Sequence, residues 1–370
     1  MLIGIDASRA LTSERTGTEH YSVRIIQALL AVRGAHRLRL YAQREPSPEI
    51  ATQLSGAEWR IMPLPRLWTH LRLSLEMLQS PPDALFVPAH VLPLIHQRRG
   101  VVTIHDLGYR RYPSAHTRWQ RLYLDWSTRW SAQVARRVIV DSLATRDDLV
   151  AAYGVDAGKT VVAYPAGRDL HRLGNPTEDA QVLARWGLAP GYVLAVGTLQ
   201  PRKNLTLLLD AFAGLVASAR LPDSTRLVLA GRPGWLSVPI LARANAHDLL
   251  GRVVITGYVS DGELAALFRG AGVLAFPSLY EGFGLPVLEA MQCGVPVVCA
   301  NSSSLPEVAG DAALLVDPGD VAGWQSALER VYHEPELARE MVARGQRQAE
   351  SFTWERCART ILHAIEELDD

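Results

Sequence analysis

Short apolar runs, each ending in a polar residue or a turn signal, recur along this chain with helical patterns between them. The first half holds LIGIDA, RLRLYAQ, DALFVPA, VVTIHDL and RVIVDS; the second holds YVLAVGT, RLVLAG, RVVITG, GVLAFPS and VPVVCA. Runs this short without polar alternation are strands buried on both faces. Helices between such strands give parallel sheets with crossover connections. The spacing predicts helices over YSVRIIQALL, NLTLLLDAFAGLVA and DGELAALFRGA. The rhythm breaks at YPAGRDLHRLGNPTED, residues 164–179, where polar and turn-forming residues gather. A chain of 370 residues exceeds one ordinary hydrophobic core, and its two α/β halves suit two.

The expected fold class is therefore α/β, with two Rossmann-like domains over residues 1–168 and 169–348. Their parallel sheets face an interdomain cleft, and ligands sit beyond the carboxyl ends of the strands. Residues 349–370 contain FTWERCARTILHAIEEL, an amphipathic helix that either pads the second domain or returns to the first.

Charge and composition remove several functions. Net charge is zero, from 38 basic and 38 acidic residues, so no long-range attraction draws nucleic acid. No run of about 18 apolar residues offers a spanning helix. The start, MLIGIDASRAL, lacks a secretory leader pattern. Cys293, Cys299 and Cys357 form no CxxC pair and suit a reducing compartment. The expected location is cytoplasmic.

Three loops carry chemistry. In SLYEGFGLPVLEAMQCG, residues 278–294, the segment after the strand holds Glu281, Gly282 and Gly284, and Pro286 suits the first turn of a helix. Glycines let backbone N–H groups approach a ligand, and a helix start favours an anion. Glu289 is expected near the first turn, where its carboxylate can accept from paired hydroxyls. The plainer alternative is that both glutamates cap backbone or favour the helix dipole. In AVGTLQPRKNL, residues 195–205, a strand ends at Gly197 and Arg202, Lys203 and Asn204 stand where a helix begins. Cations oppose the dipole there, so either a bound diphosphate or plain solvation explains them. In TIHDLGYR, His105 and Asp106 end a strand, free to serve a ligand hydroxyl or to form a structural pair. Gly17 and Thr18 in the N-terminal loop add N–H groups for a phosphate.

Absences narrow the chemistry. No GxGxxG opens the first helix, no GxxxxGK[ST] appears, and no GxSxG elbow is present. No DxD or histidine cluster offers a metal site, which leaves phosphate charge to arginine, lysine and helix starts.

The ordered series GTLQPRKNL, LAGRPGW, ITGYVSDGELAALFRGA, FPSLYEGFGLPVLEAMQCGVPVV, NSSSLPEVAGDAALLVDPGD and FTWERCA resembles the retaining GT-B glycosyltransferases. The resemblance is to the large group 1 family containing bacterial mannosyl-, glucosyl- and rhamnosyltransferases, and it covers essentially the full length. It implies an N-terminal domain for the acceptor, a C-terminal domain for the nucleotide sugar, and a last helix crossing back to the N-terminal domain. It further implies that Arg202 and Lys203 bind the diphosphate. Glu281, with the backbone of Phe283, Gly284 and Leu285, holds the donor sugar and phosphate. Glu289 holds the ribose, His105 reaches the transferred sugar, and Gly17 and Gly197 lie near the phosphates. No cofactor or metal is implied.

The implied reaction transfers a sugar with retained configuration to a glycan or lipid-linked acceptor in cell-surface glycan synthesis. GDP-mannose is the preferred donor, with UDP-glucose or a dTDP-sugar as alternatives. The competing readings are a non-catalytic nucleotide-sugar-binding protein and a UDP-sugar epimerase-like enzyme on the same fold. Two departures stand out: RTGTEH has one glycine where the family often has two, and YPAGRDL replaces the usual asparagine–glycine pair after the linker proline. Finally, YRRYPSAHTRWQRLYLDWSTRW, residues 109–130, mixes arginine with aromatic residues. It suits either peripheral membrane contact at the inner face of the cell membrane or packing against the domain.

Overall fold

The buried apolar runs become strands of two parallel sheets in the computed structural model, which describes residues 1–12, 17–89, 91–115 and 117–368. Residues 13–16 of the N-terminal polar loop and residue 116 of the aromatic stretch lie outside the described residues. The chain divides into two compact units, Met1–Pro165 with Phe352–Asp370, and Ala166–Ser351.

The first unit contains β1 (Leu2–Asp6), β2 (Arg37–Ala42), β3 (Glu58–Ile61), β4 (Ala84–Val87), β5 (Gly100–Ile104), β6 (Arg137–Val140) and β7 (Thr160–Val162). They pair in the order β3-β2-β1-β4-β5-β6-β7, every pairing parallel. Each residue of β4 and β5 is buried, as expected of strands covered on both faces. The Trp354–Glu366 helix packs in this unit against the Gly17–Val32 helix. It buries Trp354, Cys357, Ala358, Ile361, Leu362 and Ile365 at helical spacing, and Thr353 caps its start by accepting from the Arg356 N–H. Trp354 meets Tyr21 edge to face, with ring centroids 5.7 Å apart.

The second unit contains β8 (Tyr192–Val196), β9 (Leu227–Ala230), β10 (Val253–Gly257), β11 (Ala271–Phe276), β12 (Val297–Ala300) and β13 (Ala313–Val316). Their order is β10-β9-β8-β11-β12-β13, again parallel throughout. Strand order reverses between β8 and β11, and such a switch point leaves a crevice at the carboxyl ends of the two strands. The loops that follow those two strands are the ones carrying Arg202, Lys203 and Glu281.

Candidate active site

Strand order explains why residues far apart in sequence meet in the second unit. Beyond β8, Gly197 takes φ +132, and a Cβ there would lie 3.0 Å from Lys203 Cε, so the site keeps a glycine. Arg202 and Lys203 do not open the following helix as the sequence reading expects. They occupy a separate short turn, Pro201–Lys203, and Asn204 at φ 53 redirects the chain into the Leu205–Ala217 helix. Asn204 holds that bend by donating Nδ2–H to the Pro318 carbonyl at 2.7 Å. The two cations are thereby turned away from the positive helix end and toward the loop after β11.

There they share one carboxylate. Arg202 Nη1 donates to Glu281 Oε2 at 2.7 Å and to the Tyr280 carbonyl at 2.6 Å. Lys203 Nζ donates to Glu281 Oε1 at 2.6 Å and stands 4.6 Å from the centroid of the Phe276 ring. Burial pushes the Glu281 carboxyl up, but Arg202 and Lys203 more than reverse this and bring it down to about 2. Two cations thus converge on one carboxylate at the β8–β11 switch point.

Serines beyond β12 fix the loop. The Glu281 N–H donates to Ser303 Oγ at 2.9 Å, and Ser304 Oγ lies 3.0 Å and 2.7 Å from the carbonyls of Glu281 and Phe283. Gly284, at φ +112, leads into the Leu285–Gln292 helix, and a Cβ there would strike Leu305 Cδ2 at 2.7 Å. Phe283 is buried and Leu285 opens the helix.

Glu289 sits one turn deeper than expected, on the second turn of that helix, and is fully buried. Its partner is Arg168, to which the sequence reading assigned no role. Arg168 Nε donates to Oε1 at 2.7 Å and Nη2 to Oε2 at 2.8 Å, while Nη1 reaches Asp261 Oδ1 at 2.8 Å. No local pattern announces this pair, because 121 residues separate its members.

In the first unit, the ends of β4, β5 and β6 bring Pro88, His105 and Asp141 together. His105 Nδ1 lies 2.6 Å from Asp141 Oδ2, and Nε2 lies 3.0 Å from the Pro88 carbonyl. Both partners are acceptors, so the assignment consistent with the network has both ring nitrogens donating, as imidazolium. Burial works against that charge, but Asp141 overrides it and the His105 pKa is raised. Tyr21 packs its ring edge to face on His105, centroids 4.6 Å apart. Asp106, expected to serve a ligand or orient a neighbour, instead accepts from the Gly108 N–H at 2.7 Å and closes its own turn. Asp141 is the orienting carboxylate. It ends its strand just as His105 ends the neighbouring one, and that shared position is the signal that could have found it. Gly17 opens the Gly17–Val32 helix and is exposed.

The aromatic stretch forms the Arg118–Val134 helix, started by a Thr117–Gln120 capping box. Its outward face carries Trp119, 82% exposed, with Leu122, Tyr123 and Trp126 about half exposed. Exposed Leu71, Leu75 and Leu78 lie on the neighbouring segment, joined to this helix through His70 Nε2 and Tyr123 OH at 2.9 Å. Among the described residues no helix is long and apolar enough to cross a membrane, and no group of three or more His, Cys, Asp or Glu could hold a metal ion.

Comparison with known proteins matches both units. The glycosyl transferases group 1 family covers residues 185–348, and glycosyltransferase family 4 covers residues 15–169. The chain is 35% identical over 267 residues to O-antigen chain mannosyltransferase B of Escherichia coli, across 72% of this chain and 70% of that protein. It is 34% identical over 237 residues to the D-inositol 3-phosphate glycosyltransferase of Rhodococcus jostii, across 62% of this chain and 52% of that one. Among solved structures, sucrose-phosphate synthase of Thermosynechococcus elongatus aligns with a TM-score of 0.76 at 20% identity, covering 100% of this chain and 99% of that one. Anabaena HepE, in complex with UDP and glucose, aligns at 0.73 and 17% identity with the same coverage. The structures show the fold and the mannosyltransferase relative shows the family: this chain belongs to the group 1 glycosyltransferases and has the GT-B fold.

Proposed function

We propose that the chain transfers a hexosyl group from a nucleoside diphosphate sugar to an acceptor hydroxyl, with retention at the anomeric carbon. The carrying observation is the convergence of Arg202 and Lys203 on Glu281 at the β8–β11 switch point. As the bond from the anomeric carbon to the β-phosphate oxygen breaks, negative charge collects on the diphosphate and positive character on the sugar. A new bond forms to the acceptor oxygen, whose proton passes to the departing phosphate. Arg202, Lys203 and N–H groups around Gly284 and Leu285 stabilise that diphosphate, with no metal in the step. Glu281, tied to two cations, is a poor base and a poor nucleophile. It positions the cations and, with the Phe283–Leu285 backbone, the donor hydroxyls.

Glu289 serves the ribose end of the nucleotide, and Gly197 keeps the backbone open beside Lys203. Gly17 contributes an N–H to the phosphates. His105 meets the transferred sugar once Nε2–H leaves the Pro88 carbonyl. The mannosyltransferase relatives support mannose as the transferred sugar; our reading takes GDP-mannose as donor, ahead of UDP-glucose or a dTDP-sugar, and a cell-surface glycan or its lipid-linked precursor as acceptor. A thermal-shift screen of GDP-, UDP-, dTDP- and ADP-sugars tests this, followed by NMR of the product. GDP-mannose should give the largest shift and an α-linked product; binding of none of them would remove the proposal.

Such an acceptor places the enzyme at a cytoplasmic membrane face. The Trp119–Trp126 stripe supplies apolar contact. Arg118, Arg121 and Arg129 on the same helix are exposed and form no ion pair among the described residues, which complements an anionic bilayer. Flotation with phosphatidylglycerol vesicles at low salt should carry the protein upward, and Trp119→Ser with Arg121→Glu should abolish this. Absence of flotation by the unaltered protein would remove the membrane contact and leave the transfer reaction standing.

A further inference from the structure

Two hydrogen bonds fix the nitrogens of His105, but both lie in the plane of the ring and put nothing on its faces. Asp141 does not lock the arrangement from its own side. Its Oδ1 is buried and has no hydrogen-bond partner among the described residues, so the carboxylate is held through Oδ2 alone. Tyr21 supplies the missing face contact. It stands one turn into the Gly17–Val32 helix, is 3% exposed, and meets the imidazole at 4.6 Å between centroids with the planes 79° apart. Such a perpendicular ring contact is attractive and directional.

Tyr21 is itself held in two further places. Its hydroxyl lies 3.4 Å from Thr103 Oγ1, on the strand β5 that His105 follows. Burial pushes the phenol well above its ordinary value, so the hydroxyl keeps its proton. Trp354 also packs against the ring, with centroids 5.7 Å apart and planes at 62°. Trp354 opens the helix that rejoins the first unit after the whole of Ala166–Ser351. The returning helix therefore reaches His105 through a single intervening ring.

For His105 to meet the sugar, Nε2–H has to leave the Pro88 carbonyl. The 2.6 Å bond from Nδ1 to Asp141 is then the pivot, and the filled face decides which way the ring can tilt. We infer that Tyr21 is a positioning residue for glycosyl transfer: braced by Trp354 and Thr103, it closes one face of the His105 ring and confines the swing that delivers Nε2–H to the sugar. This rests on the reading of His105 as the group that meets the transferred sugar.

The test pairs turnover with NMR of the His105 ring, on the full chain. Tyr21→Leu removes the aromatic ring and keeps an apolar residue. With the best nucleotide sugar, kcat should fall roughly 10-fold and donor KM should change less, since what is lost is orientation at the reacting centre. The His105 titration midpoint should fall too, because Asp141, which raises it against burial, no longer faces a fixed ring. Tyr21→Phe, which keeps the ring, should recover most of both. In a His105→Ala background, Tyr21→Leu should add almost nothing to the loss of turnover. Should Tyr21→Leu fail to fold, Tyr21→Met fills the space with a flexible side chain and carries the same readouts. A lower melting temperature with kcat and midpoint at their parent values would make Tyr21 a packing residue only and overturn the inference, as would full additivity with His105→Ala. If the parent protein moves no sugar from any GDP-, UDP-, dTDP- or ADP-sugar, the transfer reading itself fails and this inference falls with it.

Discussion

Two charged clusters, one in each unit, are built in the same way and differ in the number of cations gathered around their carboxylate. Each stands at the carboxyl ends of adjacent parallel strands: β8 for Arg202 and Lys203 and β11 for Glu281, with the serines after β12 beside them, and β4, β5 and β6 for Pro88, His105 and Asp141. In the second unit one carboxylate serves two cations, so an arriving dianion finds donors it can share. In the first unit one carboxylate serves one histidine, and the other ring nitrogen is committed to Pro88. Strand ends supply the location in both. The number of cations gathered around the carboxylate separates the two clusters.

The largest expected effect comes from removing one of the two cations that meet Glu281. Lys203→Ala leaves Arg202 to hold Glu281, so no buried carboxylate is orphaned and the fold should survive. Turnover should fall roughly 100- to 1,000-fold, about 3–4 kcal/mol of barrier, if Lys203 acts on the leaving diphosphate as an oxyanion donor does. Steady-state kcat beside a thermal melt measures both. Unchanged turnover would place the second cation outside the chemistry and erase the contrast between the clusters.

This contrast was only half legible in the sequence. The central strands announce themselves because burial on both faces demands uninterrupted apolar residues, and the polar residues after them mark the loops. The strands β3, β7 and β13 escaped for the converse reason. Each lies at a sheet edge, and β3 reads EWRI, with Glu58 turned outward to Arg39 at 2.9 Å. Residue positions in the loops were readable; partners were not. Glu281 pairs with Lys203 because β8 and β11 are neighbours, and strand order is a property of the folded sheet. Arg168 and Asp141 were overlooked on the same ground, since their partners lie 121 and 36 residues away. Ser303 and Ser304 lay in a serine run that showed nothing of its contacts with the Glu281 loop.

Acid sharpens the comparison next. The Glu281 carboxyl, depressed from 4.5 to about 2, gives stability that is fully present above pH 4.5 and disappears as pH falls through about 2. That contribution is on the order of 3 kcal/mol at neutral pH. Glu281→Gln should remove this segment of the acid-unfolding curve, read by circular dichroism from pH 7 to 2. An unaltered curve would mean that the two cations do not hold the carboxylate in solution.

The smallest effect belongs to the first-unit pair and has the opposite sign. His105 has a raised pKa, so its stabilisation is complete below about 6.5, the unfolded value, and drains away as pH rises through the folded value. Asp141 bounds the pair on the acid side, because burial lifts its carboxyl above 3.8, with His105 offsetting only part of the rise. The pair should thus be ionised in a window between these two titrations, whereas the Glu281 cluster stays charged across the whole of it. Titration of the His105 ring protons by NMR should give a midpoint above 6.5, and Asp141→Asn should move it downward by removing the opposing charge. A midpoint below 6.5 in the parent protein would mean the imidazole is neutral. The Pro88 and Asp141 acceptors could not then both be satisfied, and the two clusters would differ in kind rather than in the count of their charges.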